Sequence, residues 1–84
     1  MDNADLSSEH VRAARALLRW EQADLATKSG VSLPSIKRLE AQPGKLGAHD
    51  STLAAIRQAF EKQGIEFQNG GSPGVRLTVG RKRR

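Results

Sequence analysis

The sequence contains no cysteine and no tyrosine, and its only aromatic residues are Trp20, Phe60 and Phe67. Without cysteine there are no disulfide staples and no thiolate metal sites. No run of about 18 apolar residues occurs, which excludes a membrane-spanning helix. The opening MDNADLSSEH is acidic and polar and lacks the apolar centre of a secretory signal. A cytoplasmic protein is therefore expected. No glycine-rich phosphate loop, metal-ligand cluster or nucleophile–base set stands out. His49 and Asp50 are neighbours in a capping loop, and His10 is far from both. Neither an enzyme nor a protein with a cofactor or metal is expected.

What remains is a chain of 84 residues with a formal net charge of +5. That length supports one domain with a modest core. The charge is unevenly placed. Arg81, Lys82, Arg83 and Arg84 supply four of the 14 positive residues, and without them 10 positive residues face 9 negative ones. Within the body, Lys28, Lys37, Arg38 and Lys45 cluster between residues 28 and 49 against Glu40 alone. A phosphate-facing surface needs such a local excess, whatever the bulk charge. The RKRR end suits nonspecific attraction to DNA, or has no role beyond solubility.

Apolar spacing predicts four helices and then a change of period. Residues 1–6 form a flexible polar lead. Ser7 caps a first helix that ends near Trp20, with Leu6 and Val11 placed as a hydrophobic staple. Its inward residues are Val11, Ala14, Leu17 and Leu18. A second helix covers about Gln22 to Ser29, with Ala23, Leu25 and Ala26 inward. Gly30 supplies a positive φ. Ser32 caps a third helix from Leu33 to about Ala41, and Pro34 falls in its first turn, where the missing N–H costs little. After a loop from Gln42 to His49, Asp50 or Ser51 caps a fourth helix that runs to about Gln63. Ile65 and Phe67, then Val75, Leu77 and Val79, alternate with polar residues around the turn-forming stretch Asn69–Gly74. This is a β-hairpin with a six-residue loop. The fold class is thus mainly α: a four-helix domain over 7–63, a hairpin over 64–79 and a basic tail over 80–84.

Two short helices joined at a glycine make a helix-turn-helix. Ala26 must be small where the next helix crosses. Leu25, Val31, Ile36 and Leu39 pin the pair onto the first and fourth helices, and one side of the third helix is left for a major groove. The stretch Gln22-x-x-Leu25-Ala26-x-x-x-Gly30-Val31-Ser32-x-x-x-Ile36-x-x-x-Glu40 closely resembles the helix-turn-helix of the Cro and phage-repressor family of transcription regulators. With the flanking helices, the resemblance covers about residues 8–63.

The resemblance implies that Gln22 contacts DNA backbone or a base edge. It also places Ser32, Leu33, Pro34 and Ser35 deepest in the groove, with Lys37 and Arg38 one turn on. Family members often carry Gln or Arg where this chain has Leu33 and Pro34. These two offer van der Waals contact to thymine methyls, and Leu33 is equally readable as core. Arg38 is then the candidate for bidentate guanine readout, while Lys28, Lys45 and His49 suit phosphate. The starts of the second and third helices offer backbone N–H groups to phosphate as well. The resemblance further implies that Arg15 and Glu40 form a structural ion pair. Trp20 is expected as a spacer between helices rather than a base-stacking residue.

A lone hairpin is marginal in water. This one must pack on the fourth helix or pair with a second copy through Ile65, Phe67, Val75, Leu77 and Val79. The expected function is a DNA-binding transcriptional regulator, most simply a homodimeric repressor on double-stranded DNA at the bacterial nucleoid. Two alternatives stay open: the antitoxin of a toxin–antitoxin pair, and a protein-interaction module that uses the hairpin.

Overall fold

A computed structural model of the chain describes residues 2–68 and 72–78. The expected four helices and antiparallel hairpin are present. They are α1 (Ser8–Leu18), α2 (Gln22–Ser29), α3 (Leu33–Ala41), α4 (Asp50–Glu61), β1 (Ile65–Gln68) and β2 (Gly74–Leu77).

Helix α1 begins as the sequence predicts. The Ser7 hydroxyl accepts from the His10 N–H at 3.1 Å, and the His10 ring returns the bond by accepting from the Ser7 N–H at 3.2 Å. Because Ser7 N–H can only donate to Nδ1, the ring proton sits on Nε2. That Nε2–H donates to the Gln68 carbonyl at 2.9 Å. A cap at one end of the chain is thereby tied to the hairpin at the other. The helix stops at Leu18, two residues short of Trp20, because Arg19 adopts a left-handed backbone with φ 58°.

Helices α2 and α3 match their expected bounds. Gly30 has φ 78°, the conformation that glycine tolerates best. Ser32 caps α3 by accepting from the Ser35 N–H. The N-cap position of helix α4 is held by His49 rather than by Asp50 or Ser51, and the last turn before Gly64 is not α-helical.

Three expectations on the core need correction. Residues 2–6 are not a loose lead: Asn3–Asp5 form a turn of 3-10 helix, and Leu6 is completely buried. The reason is a distant partner. Leu46 N–H donates to the Leu6 carbonyl at 3.1 Å, and Ser8 N–H donates to the Gly44 carbonyl at 2.9 Å. Beside this clasp the Glu9 carboxylate accepts from Gly44 N–H. Its pKa is held below the ordinary value by its own backbone N–H and that of Gly44. Second, Leu17 is 43% exposed, because the apolar stripe runs through Val11, Ala14 and Leu18 and Leu17 lies off it. Third, Ala23 is exposed, so α2 faces the core through Leu25, with Ala26 at its margin.

Helix α4 supplies the centre of the core through Leu53, Ile56, Ala59 and Phe60. Phe60 stacks on Trp20 at 5.5 Å and meets Phe67 edge-on at 5.9 Å. Trp20 is therefore a spacer between α1 and α4, as the sequence suggested. The hairpin pairs Ile65 with Leu77 and Phe67 with Val75. Gly74, expected in the loop, is the first residue of β2 and pairs with Gln68. Gly64 has φ 95°, and a Cβ there would stand 2.6 Å from the Thr78 carbonyl oxygen, so a side chain is excluded. β2 lies against α1 and β1 against α4. Val79 and the RKRR tail fall outside the described residues.

The burial of Leu6 has a measurable consequence. Leu6→Ala should destabilise the fold by about 2–5 kcal/mol, the range for emptying a core leucine site. Chemical denaturation checks this, and a change within about 0.5 kcal/mol, typical of a surface position, would return residues 2–6 to the status of a loose lead.

Candidate nucleic-acid interface

The motif is held by one buried carboxylate. Glu40, in the last turn of α3, is 6% exposed. Arg15 of α1 grips it with both prongs of the guanidinium, Nε to Oε2 at 2.8 Å and Nη2 to Oε1 at 2.6 Å. The remaining Arg15 nitrogen, Nη1, donates to the Trp20 carbonyl at 3.0 Å. Gln22 Nε2 donates to Glu40 Oε1 at 3.2 Å, and Arg12 Nη1 donates to the Glu40 backbone carbonyl at 2.8 Å. A buried charge needs this degree of satisfaction to be tolerated. The ion pair expected from the resemblance is thus present, and it ties α3 to α1 and to the start of α2.

Gln22 was expected as a DNA reader. The structure gives it an internal bond to Glu40, which leaves its carbonyl oxygen and one amide hydrogen for another partner. Leu33 is half-buried but stands outside the core cluster, Pro34 is exposed, and the Ser32 and Ser35 hydroxyls bond to each other at 2.9 Å. Lys37 and Arg38 are exposed, and neither has an ion pair or hydrogen bond among the described residues.

The expected phosphate contacts separate into two places. Ser35, Arg38, His49 and Thr52 line one open groove of about 580 Å³ between α3 and the start of α4. The α4 N-terminus has no side-chain cap from His49, and its first N–H groups have no side-chain acceptor among the described residues. Lys45 is elsewhere: it lies 3.6 Å from Asp5 and borders a second groove with Ser7, Glu9 and His10. Lys28 is exposed in the last turn of α2.

Helix starts also differ from expectation. The start of α2 is occupied by its own carboxylates: Asp24 accepts from the Glu21 N–H at 2.8 Å, and the Glu21 side chain stands beside it at the N-cap position. A phosphate would meet two negative charges there. The spacing Glu21-x-x-Asp24 is that of a reciprocal cap and was readable in the sequence. The start of α3 offers little more, since Ser32 takes the Ser35 N–H and Pro34 has none. Of the three helices forming the motif and its flank, α4 has the open N-terminus.

Of the hairpin side chains expected at a dimer interface, the described ones pack wholly or partly against the core, and Val79 lies outside the described residues. Ile65 is 2% exposed and belongs to the core, and Phe67, Val75 and Leu77 pack against it. The outward face carries Glu66 and Arg76, paired with each other. The contact between Ser7 Oγ and His10 Nδ1 at 2.7 Å resembles a nucleophile–base pair, but both residues are committed to capping α1.

Removing one partner of the Arg15–Glu40 pair strands the other in a mostly buried site. Glu40→Ala should cost about 3–5 kcal/mol, and the double substitution with Arg15→Ala should cost clearly less than the sum of the two singles. A double-mutant cycle by denaturant unfolding measures this, and strict additivity would show that the two side chains do not act as a pair.

No known family model matches this sequence, and no curated protein is significantly similar to it.

Proposed function

We propose that this chain is a sequence-specific double-stranded DNA-binding regulator of transcription, most simply a cytoplasmic repressor, and not an enzyme. The observation that carries this reading is the division of labour on α3. Its inner side is fixed by Ile36, Leu39 and the clamped Glu40, while Lys37 and Arg38 stand exposed without partners among the described residues. Cations left unpaired on a helix whose orientation is rigidly set are what major-groove readout requires. The Cro-like spacing from Gln22 to Glu40 and the groove where Arg38 and His49 meet the open start of α4 support the same reading. In it, α3 enters the major groove. Arg38 reads guanine, Leu33 and Pro34 face thymine methyls, and the flanking phosphate strand passes the α4 N-terminus.

The protein acts as a homodimer in this proposal, through the main chain of the hairpin rather than its side chains. Thr78 N–H donates to the Gly64 carbonyl, which makes Gly64–Thr78 a hydrogen-bonded pair. By alternation, the N–H and C=O groups of Ile65 and Phe67 point away from β2 and form a free strand edge. A second copy covers that edge by a self-complementary antiparallel pairing.

In-vitro selection of bound DNA from random sequence tests the function. Recovery of a defined motif is expected, and recovery of none at moderate salt would overturn the proposal. Within a recovered motif, Arg38→Ala should relax discrimination at one base pair by about 1–3 kcal/mol, whereas Lys28→Ala should weaken all sequences alike. An unchanged sequence ranking for the Arg38 variant would remove it from the readout. Light scattering should give about twice the 9.1 kDa chain mass. A monomer at high micromolar concentration would exclude the dimer.

A further inference from the structure

Arg19 is the one residue other than glycine with a positive φ among the described residues, at 58°. It ends α1 in the left-handed conformation, with its N–H donating to the carbonyls of Arg15 and Ala16. Nothing in that backbone geometry calls for a long side chain. Glycine adopts it without the clash between Cβ and carbonyl that an L-residue must bear. The guanidinium does not offset the strain from within the molecule either. The residue is exposed, and its side chain makes no hydrogen bond or ion pair among the described residues. Glu21 and Asp24 stand two and five positions further on, yet Asp24 accepts from the Glu21 N–H and neither carboxylate bonds to Arg19.

The position of Arg19 supplies the missing partner. Trp20, its neighbour, offers the carbonyl that Arg15 binds while Arg15 holds Glu40. The α1–α2 turn is therefore fastened beside the last turn of α3, the helix whose other side carries the exposed Lys37 and Arg38. Strained residues persist where the surrounding structure fixes them and a site uses them. We propose that Arg19 is a phosphate-binding residue that takes a phosphodiester of duplex DNA flanking the groove entered by α3. It restores positive charge beside the carboxylates that close the start of α2. The inference rests on the DNA-binding reading above and adds a contact to it.

Arg19→Gly separates strain from binding, because it should relieve the first and remove the second. The variant is expected to melt about 4–8 °C higher, the shift that relief of a left-handed residue gives in a domain of this size. It should also bind the selected DNA about 3–10-fold more weakly, with the same loss on unrelated sequences and a salt slope smaller by about 1. Arg19→Lys should keep most of the affinity. A Gly variant with unchanged affinity and salt slope would overturn the role of Arg19 while leaving the DNA-binding reading intact. Failure of the wild-type protein to bind any duplex would overturn both.

Discussion

The buried carboxylate of Glu40 is the constraint on which the placement of the exposed residues of α3 depends. It sits on the third helix, its ligands come from the first helix and the start of the second, and one guanidinium and one amide meet on it. An ion pair of this kind is a poor way to add stability, because the desolvation of two charges consumes most of the attraction. A pair of apolar side chains of similar volume would hold the helices together as well. What the pair adds is direction. A bidentate fork accepts one relative orientation of its partner, so α3 cannot rotate about its axis without leaving a charge stranded. That fixes which face of α3 looks outward. Lys37 and Arg38 owe their exposure to Glu40.

The parts of this arrangement that were legible in the sequence are those governed by local chemistry. Ser7 and Ser32 as caps, Gly30 at the turn and the bounds of α2 and α3 follow from a few neighbouring residues. The link between Arg15 and Glu40 was legible only through the resemblance to a known motif, since 25 residues separate them. The lead shows why the rest was hidden. Leu6 was legible as a staple against Val11, but its neighbours are acidic and polar, and their order depends on backbone bonds of Leu6 and Ser8 to Leu46 and Gly44, about 40 residues away. Leu17 failed for the opposite reason. It continues an apolar run with Leu18, but successive helical residues lie about 100° apart, and the core admits only one of the two. Lys45 counted as part of a basic cluster along the chain, yet in space it answers Asp5.

Charge in this molecule is sorted by position more than by amount. Glu21 and Asp24 close one helix start, and Asp5 and Glu9 gather at the clasp beside Gly44 and Lys45. Arg38 and His49 line a groove to which no carboxylate contributes among the described residues. A polyanion approaching the surface would meet repulsion at the α2 start and attraction along α3 and the start of α4. The approach is thus oriented by the placement of carboxylates as much as by that of cations, and no large net charge is needed.

The hairpin belongs to the same mechanical chain. Its four apolar side chains complete the core against α1 and α4, so it is a structural wall before it is anything else. His10 sharpens the point, since one imidazole closes the cap of α1 and holds the end of β1. A helix gripped by the hairpin at its N-terminal end and by Glu40 near its C-terminal end has little freedom to tilt. Whatever presses on the hairpin edge therefore acts through α1 on the orientation of α3. A second copy joining that edge by main-chain hydrogen bonds would have its strand direction and register fixed together. Two copies joined in this way would hold their third helices at one set spacing. A rigid α1 is the element that would carry the geometry of such a joint to the exposed side of α3.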